Sequence, residues 1–412
     1  MTDSLNRSLD STFAVSYVAF VFSGVYKSAG FLEWVPVDLT LLLGIITVAF
    51  TVMIAVVNQF KVTFSAVVIT LLFSVFATYA VFTGFWTSSS EYYWSKSFRL
   101  IAVTGLAFGI GSIVIATSYR RLIYVAFSTT GLSTVTALET LNQYRMVTGN
   151  VELYPFGTNY LITGRVIGLG LILTVSYLIF SRENPSISVA SLFVSVVTGY
   201  ALLVSGARGP MVLVFGAVVL LVVTGVVTGS LPNNRPALVG YAIAVSLIGA
   251  ALTTIAQELR GMRRILQLVE GPGSSLGTRF DYWTATIEAF GRDMWFFGEG
   301  LGSWPVHVYY YADDQYYPHN ILLEVIFELG TIGFVIFVAL VLYAVAHTIQ
   351  EWVTYNHPTQ IVLVVLLIYM LGNAMISGDL NENRYLFAIL GVMAYSFRSP
   401  LTEGRRSASI LQ

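Results

Sequence analysis

Charge-free apolar stretches of about twenty residues recur along the whole chain, and no other feature limits the fold so strictly. Residues 62–85 and 210–229 contain no Asp, Glu, Lys or Arg at all. In a bilayer core each backbone amide and carbonyl must be satisfied within its own segment, so such stretches form helices. Roughly 20 apolar residues cross the core. On that measure about twelve spans are expected, at 12–30, 37–57, 62–85, 99–118, 121–137, 160–180, 187–206, 210–229, 236–257, 318–347, 359–378 and 384–398. The fold expected is therefore all-α, a polytopic membrane helical bundle forming one integral membrane domain over 1–412. The first span lacks a small-residue cleavage pattern and reads as a retained helix.

Composition agrees. Of 412 residues 56% are apolar and only 10% charged, with a mean hydropathy of +0.75; soluble domains carry about 25% charge. The balance of 21 basic against 22 acidic residues excludes a strongly basic nucleic-acid binder and an acidic disordered chain. Cysteine is absent, which removes disulfides, thiolate nucleophiles and Cys-based metal sites.

Short-loop basic residues orient the bundle. With the N-terminus inside, Arg7, Lys61, Arg120, Arg121, Arg182, Arg235 and the tail residues Arg398, Arg405 and Arg406 are cytoplasmic. The other twelve basic residues fall on the outer side, mostly in longer segments. They read partly as paired surface charge and partly as an anion-binding site. The longest hydrophilic stretch, 257–318, is then an outer loop between spans nine and ten. Its residues 258–270 read as an interfacial amphipathic helix, and a second helix is expected near 279–290. Two aromatic outer loops, Trp86 to Phe98 and 138–159, read as an interfacial belt or as sugar and lipid contacts. Gly298-Glu-Gly300-Leu-Gly302 follows no soluble βαβ pattern, so a dinucleotide loop is excluded; it reads as a tight backbone path under a lipid or sugar.

Three polar sites stand on the outer side. Arg208 lies in the turn Ser205-Gly-Ala-Arg208-Gly-Pro210. Arg279 follows Thr278, a candidate N-cap, and precedes Asp281 and Trp283. His319-Asn320 opens a membrane helix carrying Glu324 and Glu328. Spans eight and ten both begin at the outer face, so two positive helix ends plus two arginines could receive a diphosphate. A neutral imidazole there could accept a hydroxyl proton. Each residue also has an ordinary reading: Arg208 as a snorkelling anchor, Arg279 as a partner of Asp281 or Glu288, and His319 as a capping or packing group.

The Gly298–Gly302 turn, an aromatic spacer, then His319-Asn320-Ile-Leu-Leu-Glu-Val-Ile-Phe-Glu-Leu-Gly330-Thr-Ile-Gly333 resembles the core signature of the O-antigen ligase/O-antigen polymerase family. The Arg208 turn, Arg279 with Trp283, and Asp379 to Arg384 are similar to it too, so the resemblance covers about 190–398. It implies a GT-C-type glycosyltransferase on the outer face of the cytoplasmic (inner) membrane. Such an enzyme passes a glycan from a polyprenyl diphosphate donor to a sugar hydroxyl of a glycan or lipid-core acceptor, with inversion and without metal or other cofactor. Carried over, Arg208 and Arg279 bind the leaving diphosphate and His319 positions or deprotonates the acceptor. Asn320, Glu328, Trp283 and Arg384 support them.

Two rivals remain open from the sequence. Asp313-Asp314 with His319 and Glu299 could hold a divalent cation, as in a metal-dependent oligosaccharyltransferase. A flippase or other transporter would need ionisable groups near mid-membrane, and the expected span centres are almost free of charge.

Overall fold

The computed structural model describes residues 2–58, 62–146, 153–180, 185–228, 274–290, 295–309 and 315–397. Every regular element among them is helical. In chain order these are α1 (Thr2–Val21), α2 (Leu39–Asn58), α3 (Phe64–Phe82), α4 (Glu91–Thr117), α5 (Tyr119–Met146), α6 (Tyr160–Phe180) and α7 (Pro185–Ser205). There follow α8 (Arg208–Val227), α9 (Ser274–Ala289), α10 (Trp304–Tyr309), α11 (Ile321–Tyr355), α12 (Pro358–Ala374) and α13 (Arg384–Val392). Seven described helices (α2, α3, α4, α6, α7, α8 and α11) are long and apolar enough to cross a membrane. The chain is an all-α, multi-pass membrane protein. The expected span 236–257 and the amphipathic helix 258–270 lie outside the described residues.

Three boundaries differ from expectation for physical reasons. α4 starts at Glu91 rather than near 99, so half of the expected aromatic loop is helix. Tyr92, Tyr93, Lys96 and Ser97 are buried against other parts of the protein, so their polarity does not end the span. α5 runs on to Met146 although it is rich in threonine. Thr134, Thr136 and Thr140 donate back to the carbonyls four residues before them, which satisfies their hydroxyls inside the helix. α9 begins at Ser274, which places Thr278 inside the helix rather than at its N-cap.

The chain divides into two compact units. The first comprises Met1–Ser23, Val37–Val125 and Ser274–Gly404. Its core is aromatic: Phe73 stacks on Phe108 at 4.2 Å and meets Phe387 at 5.7 Å, and Phe76 meets Phe337 at 5.7 Å. α4 and α13 approach closely because Gly111 faces the Ala388 carbonyl and Gly391 faces the Phe108 carbonyl, where a Cβ would collide. Small residues at helix contacts are the ordinary packing device in lipid.

One end of this unit gathers the segments expected inside. Arg121 Nε donates to Asp10 Oδ1 at 3.1 Å, Ser65 Oγ donates to the Ala394 carbonyl at 3.1 Å, and Tyr119 and Phe397 pack on His357. Glu351 receives Ser396 Oγ and the Phe397 amide, both at 2.9 Å. The other end gathers residues 83–90, 297–303, 317–320 and 378–383.

The second unit comprises Gly24–Pro36, Ala126–Gly273 and Arg405–Gln412. In it α6 is the buried helix, packed by α7 and α8. Ser133 Oγ donates to the Ile167 carbonyl at 3.1 Å and Ser195 Oγ to Thr174 Oγ1 at 2.9 Å. Arg165 of α6 is fully buried.

Candidate functional site

α11 is not one continuous helix. Gly330 adopts φ 62°, ψ −169°, a conformation essentially reserved for glycine. The break frees carbonyls before it and amides after it, and within a membrane each needs a partner. The turn segment 295–300 provides them. The Glu299 and Gly300 amides donate to the Phe327 and Glu328 carbonyls, both at 2.9 Å. The Thr331 and Ile332 amides donate to the Trp295 and Phe296 carbonyls at 2.8 and 3.2 Å. The glycine turn expected under a lipid or sugar is therefore the partner of a broken helix. Gly298, at φ 75°, lies so close to Gly330 that neither position has room for a Cβ. Trp86 Nε1 and Tyr79 OH fasten the turn through the Gly298 and Phe297 carbonyls.

The first half of α11 carries His319 and Asn320 at its N-terminus. Asn320 is the N-cap: its Oδ1 accepts from the Leu322 and Leu323 amides at 3.0 and 3.2 Å. With Glu324 in the first turn as well, this positive helix end is already answered by the protein itself. α8, which starts at Arg208 itself, has no side-chain cap at Ala207.

His319 stands just before the cap with φ 54°, left-handed backbone that few side chains adopt. Its ring packs on two tyrosines: Tyr282 lies parallel at 5.6 Å (7° between planes) and Tyr317 at 4.4 Å, tilted by 57°. Tyr282 and Trp283 sit one turn after Arg279 on α9, so the three share a face. Trp283 Nε1 donates to the Pro318 carbonyl at 3.0 Å, which ties α9 to the residue before His319. α9 is itself braced by buried Trp304, whose Nε1 donates to Thr286 Oγ1 at 2.8 Å. Tyr317 OH donates to Glu382 at 3.2 Å, which brings in the loop leading to Arg384, the first residue of α13. Arg279, Trp283, His319, Asn320, Glu328 and Arg384 all belong to the first unit; Arg208 belongs to the second.

Beneath His319 lies a buried ion cluster that sequence reasoning missed. Lys96 Nζ is 2.5 Å from Glu324 Oε1 and bonds both oxygens of Glu328 at 2.8 and 2.7 Å. Tyr92 OH donates to Asp379 at 3.2 Å, the Leu380 amide to Glu324 Oε1 at 3.1 Å, and Asn381 Nδ2 to the Lys96 carbonyl at 3.1 Å. The Gly302 amide also donates to the Glu328 carboxylate. Lys96, expected in an outer loop, is instead buried within α4. The acidic pair at 324 and 328, one turn apart in an apolar run, was the signal that a buried cation must face them.

Of the residues considered for a metal, Asp313 and Asp314 lie outside the described residues. Glu299 faces His307 instead of His319, at 3.6 Å, and His307 Nε2 also meets Ser88 Oγ at 3.0 Å.

No curated protein matches the chain. Residues 190–338 match the family model described as O-antigen ligase, a segment that holds Arg208, Arg279, Trp283, His319, Asn320, Glu324 and Glu328. The chain is thus a multi-pass membrane protein, about a third of which is similar to the O-antigen ligase family.

Proposed function

We propose that the protein is an inverting, metal-independent membrane glycosyltransferase. It moves a glycan from a polyprenyl diphosphate to a sugar hydroxyl, as an O-antigen or surface-polysaccharide polymerase or as an O-antigen ligase. The observation that carries this reading is the ring of His319, packed on Tyr317 and on Tyr282, which stands on the face of α9 that also bears Arg279. The acceptor oxygen attacks the anomeric carbon from the side opposite the diphosphate. The new C–O bond forms as the C–O bond to phosphate breaks, and the hydroxyl proton passes to the imidazole of His319. Negative charge grows on the leaving diphosphate, so Arg279 and Arg208 act more strongly in the transition state than in the ground state. Arg384 and Trp283 hold the surrounding loops. The site faces outward from the cytoplasmic membrane, and the acceptor is a growing glycan or a lipid core.

The test is transfer from a polyprenyl-diphosphate glycan by the purified protein in detergent with EDTA. Detergent solution has no two compartments, so a transporter gives no product there. Arg279→Ala and Arg208→Ala should each lower the rate by about 10²–10³-fold, with partial rescue by Lys, which lacks the planar fork. His319→Ala should spare donor binding and lose the acid limb of the pH–rate profile. Turnover that EDTA abolishes and Mg²⁺ or Mn²⁺ restores refutes the metal-independent mechanism.

A further inference from the structure

We propose that Lys96 is a positioning residue for this transfer. It clamps the half-helix 321–329, and with it His319, to α4 and to the loop 379–383. The inference rests on the reading of His319 given above.

The half-helix has little of its own to hold it. It is about two and a half turns long, too short to be stable alone. The glycine conformation at Gly330 uncouples it from the helical path of 331–355. Its orientation about its own axis must come from lateral contacts. Glu324 and Glu328 lie one turn apart on one face, and both reach the same Lys96 ammonium, at 2.5 Å and at 2.7–2.8 Å. Two attachment points along one face restrict both rotation and sliding.

Lys96 is itself anchored. Asn381 Nδ2 bonds its carbonyl, and the Leu380 amide bonds Glu324, so the loop before α13 closes the same knot. That loop also meets Tyr317, which packs on His319. Three residues after Lys96, α4 becomes π-helical over Arg99–Gly105, and such insertions often mark functional positions. Without Lys96, two carboxylates four residues apart repel each other in a buried setting with no counter-ion. A rotation of about 15° moves a group about 5 Å from the helix axis by about 1 Å. A misplacement of about 1 Å at the reacting group costs about 10²-fold in rate.

The experiment uses the full-length protein in lipid nanodiscs. Lys96→Met, Lys96→Arg and the neutral triple variant Lys96→Met/Glu324→Gln/Glu328→Gln are compared for kcat, for donor KM and for amide hydrogen exchange. Lys96→Met should lower kcat by about 10²-fold with donor KM within about threefold, and Arg should recover about tenfold of the loss. Exchange should rise over 321–329 and stay unchanged over 331–355. If Lys96→Met does not fold, the triple variant, which removes the two glutamate charges together with the lysine, still decides. A clamp predicts low kcat and raised exchange at 321–329 in a stable protein. Native exchange and native turnover in the triple variant overturn the proposal, as does a Lys96→Met protein changed only in KM. If the unsubstituted protein transfers no glycan, the function proposed above fails, and the exchange pattern still rules for or against the clamp.

Discussion

Substituting Gly330 by alanine attacks the feature on which the site is built. Its backbone, at φ 62° and ψ −169°, costs a non-glycine residue about 1–3 kcal/mol. The added Cβ would also collide with the Phe296 carbonyl and the Gly298 nitrogen, both backbone atoms with no side-chain freedom to yield. Relief requires segment 295–300 to move off the break. That gives up the four amide–carbonyl bonds made by Glu299, Gly300, Thr331 and Ile332, at about 1 kcal/mol each. The whole effect is about 5–7 kcal/mol, a large share of the 5–15 kcal/mol that folded proteins typically have. Alternatively the helix heals through position 330 and carries His319 to a new place. Thermal unfolding in detergent separates these outcomes, since a healed helix melts near the native temperature and a collided one does not. Both abolish transfer. Gly131→Ala is the control: it lies in α5 with nothing near the new Cβ and should be neutral or stabilising by about 0.5–1 kcal/mol. A Gly330→Ala protein with native melting and native turnover would refute the assignment of the break as structurally and functionally necessary.

Other perturbations act elsewhere in the first unit. Arg121→Ala removes the shorter of two ion pairs to buried Asp10, leaving Arg120 at 3.7 Å, and should destabilise by about 1.5–3 kcal/mol in chemical denaturation. His357 caps α12 through Nδ1, which accepts from the Thr359 amide, and burial holds its pKa below the ordinary histidine value. The folded state therefore favours the neutral ring. Stability should be full above the unfolded pKa of about 6.5 and fall as the pH drops from there through the lowered folded value. His357→Asn, which can cap without titrating, should flatten that slope in melts taken across pH. The chain has no Cys, and Tyr316 is half exposed. A Cys there should react with an impermeant reagent on intact cells; reaction only in opened cells refutes the outer placement of the His319 segment.

Most of the helices were legible because hydropathy alone defines them. α6 at Tyr160–Phe180 matches its expected bounds, and α7 and α8 match to within two residues. Hydropathy failed where polar residues are buried by partners far along the chain. It cut α4 short at the Glu91–Phe98 segment and ended α5 at 137, just before Thr140, whose hydroxyl bonds within its own helix. The break in α11 was not legible either, because the apolar pattern runs through Gly330 without interruption. What specifies it is a pair of glycines, Gly298 and Gly330, each filling the space the other's Cβ would need.

The site divides in the same way. His319, Asn320, Arg279 and Trp283 were found because they sit in short, ordered motifs. The capping role of Asn320 could have been read directly, since Asn before an apolar run with an acid in the first turn is a helix start. Lys96 could not be found by motif. Taken alone, a lysine at a span edge is a snorkelling anchor, and two glutamates a turn apart are a surface face. Buried together they offset one another in part, and neither half is stable at its depth without the other. In a chain where 10% of residues are charged, an acidic i, i+4 pair inside an apolar helix therefore states a demand for a cation. Which cation answers it is decided by packing between segments more than two hundred residues apart, and only the structure carries that information.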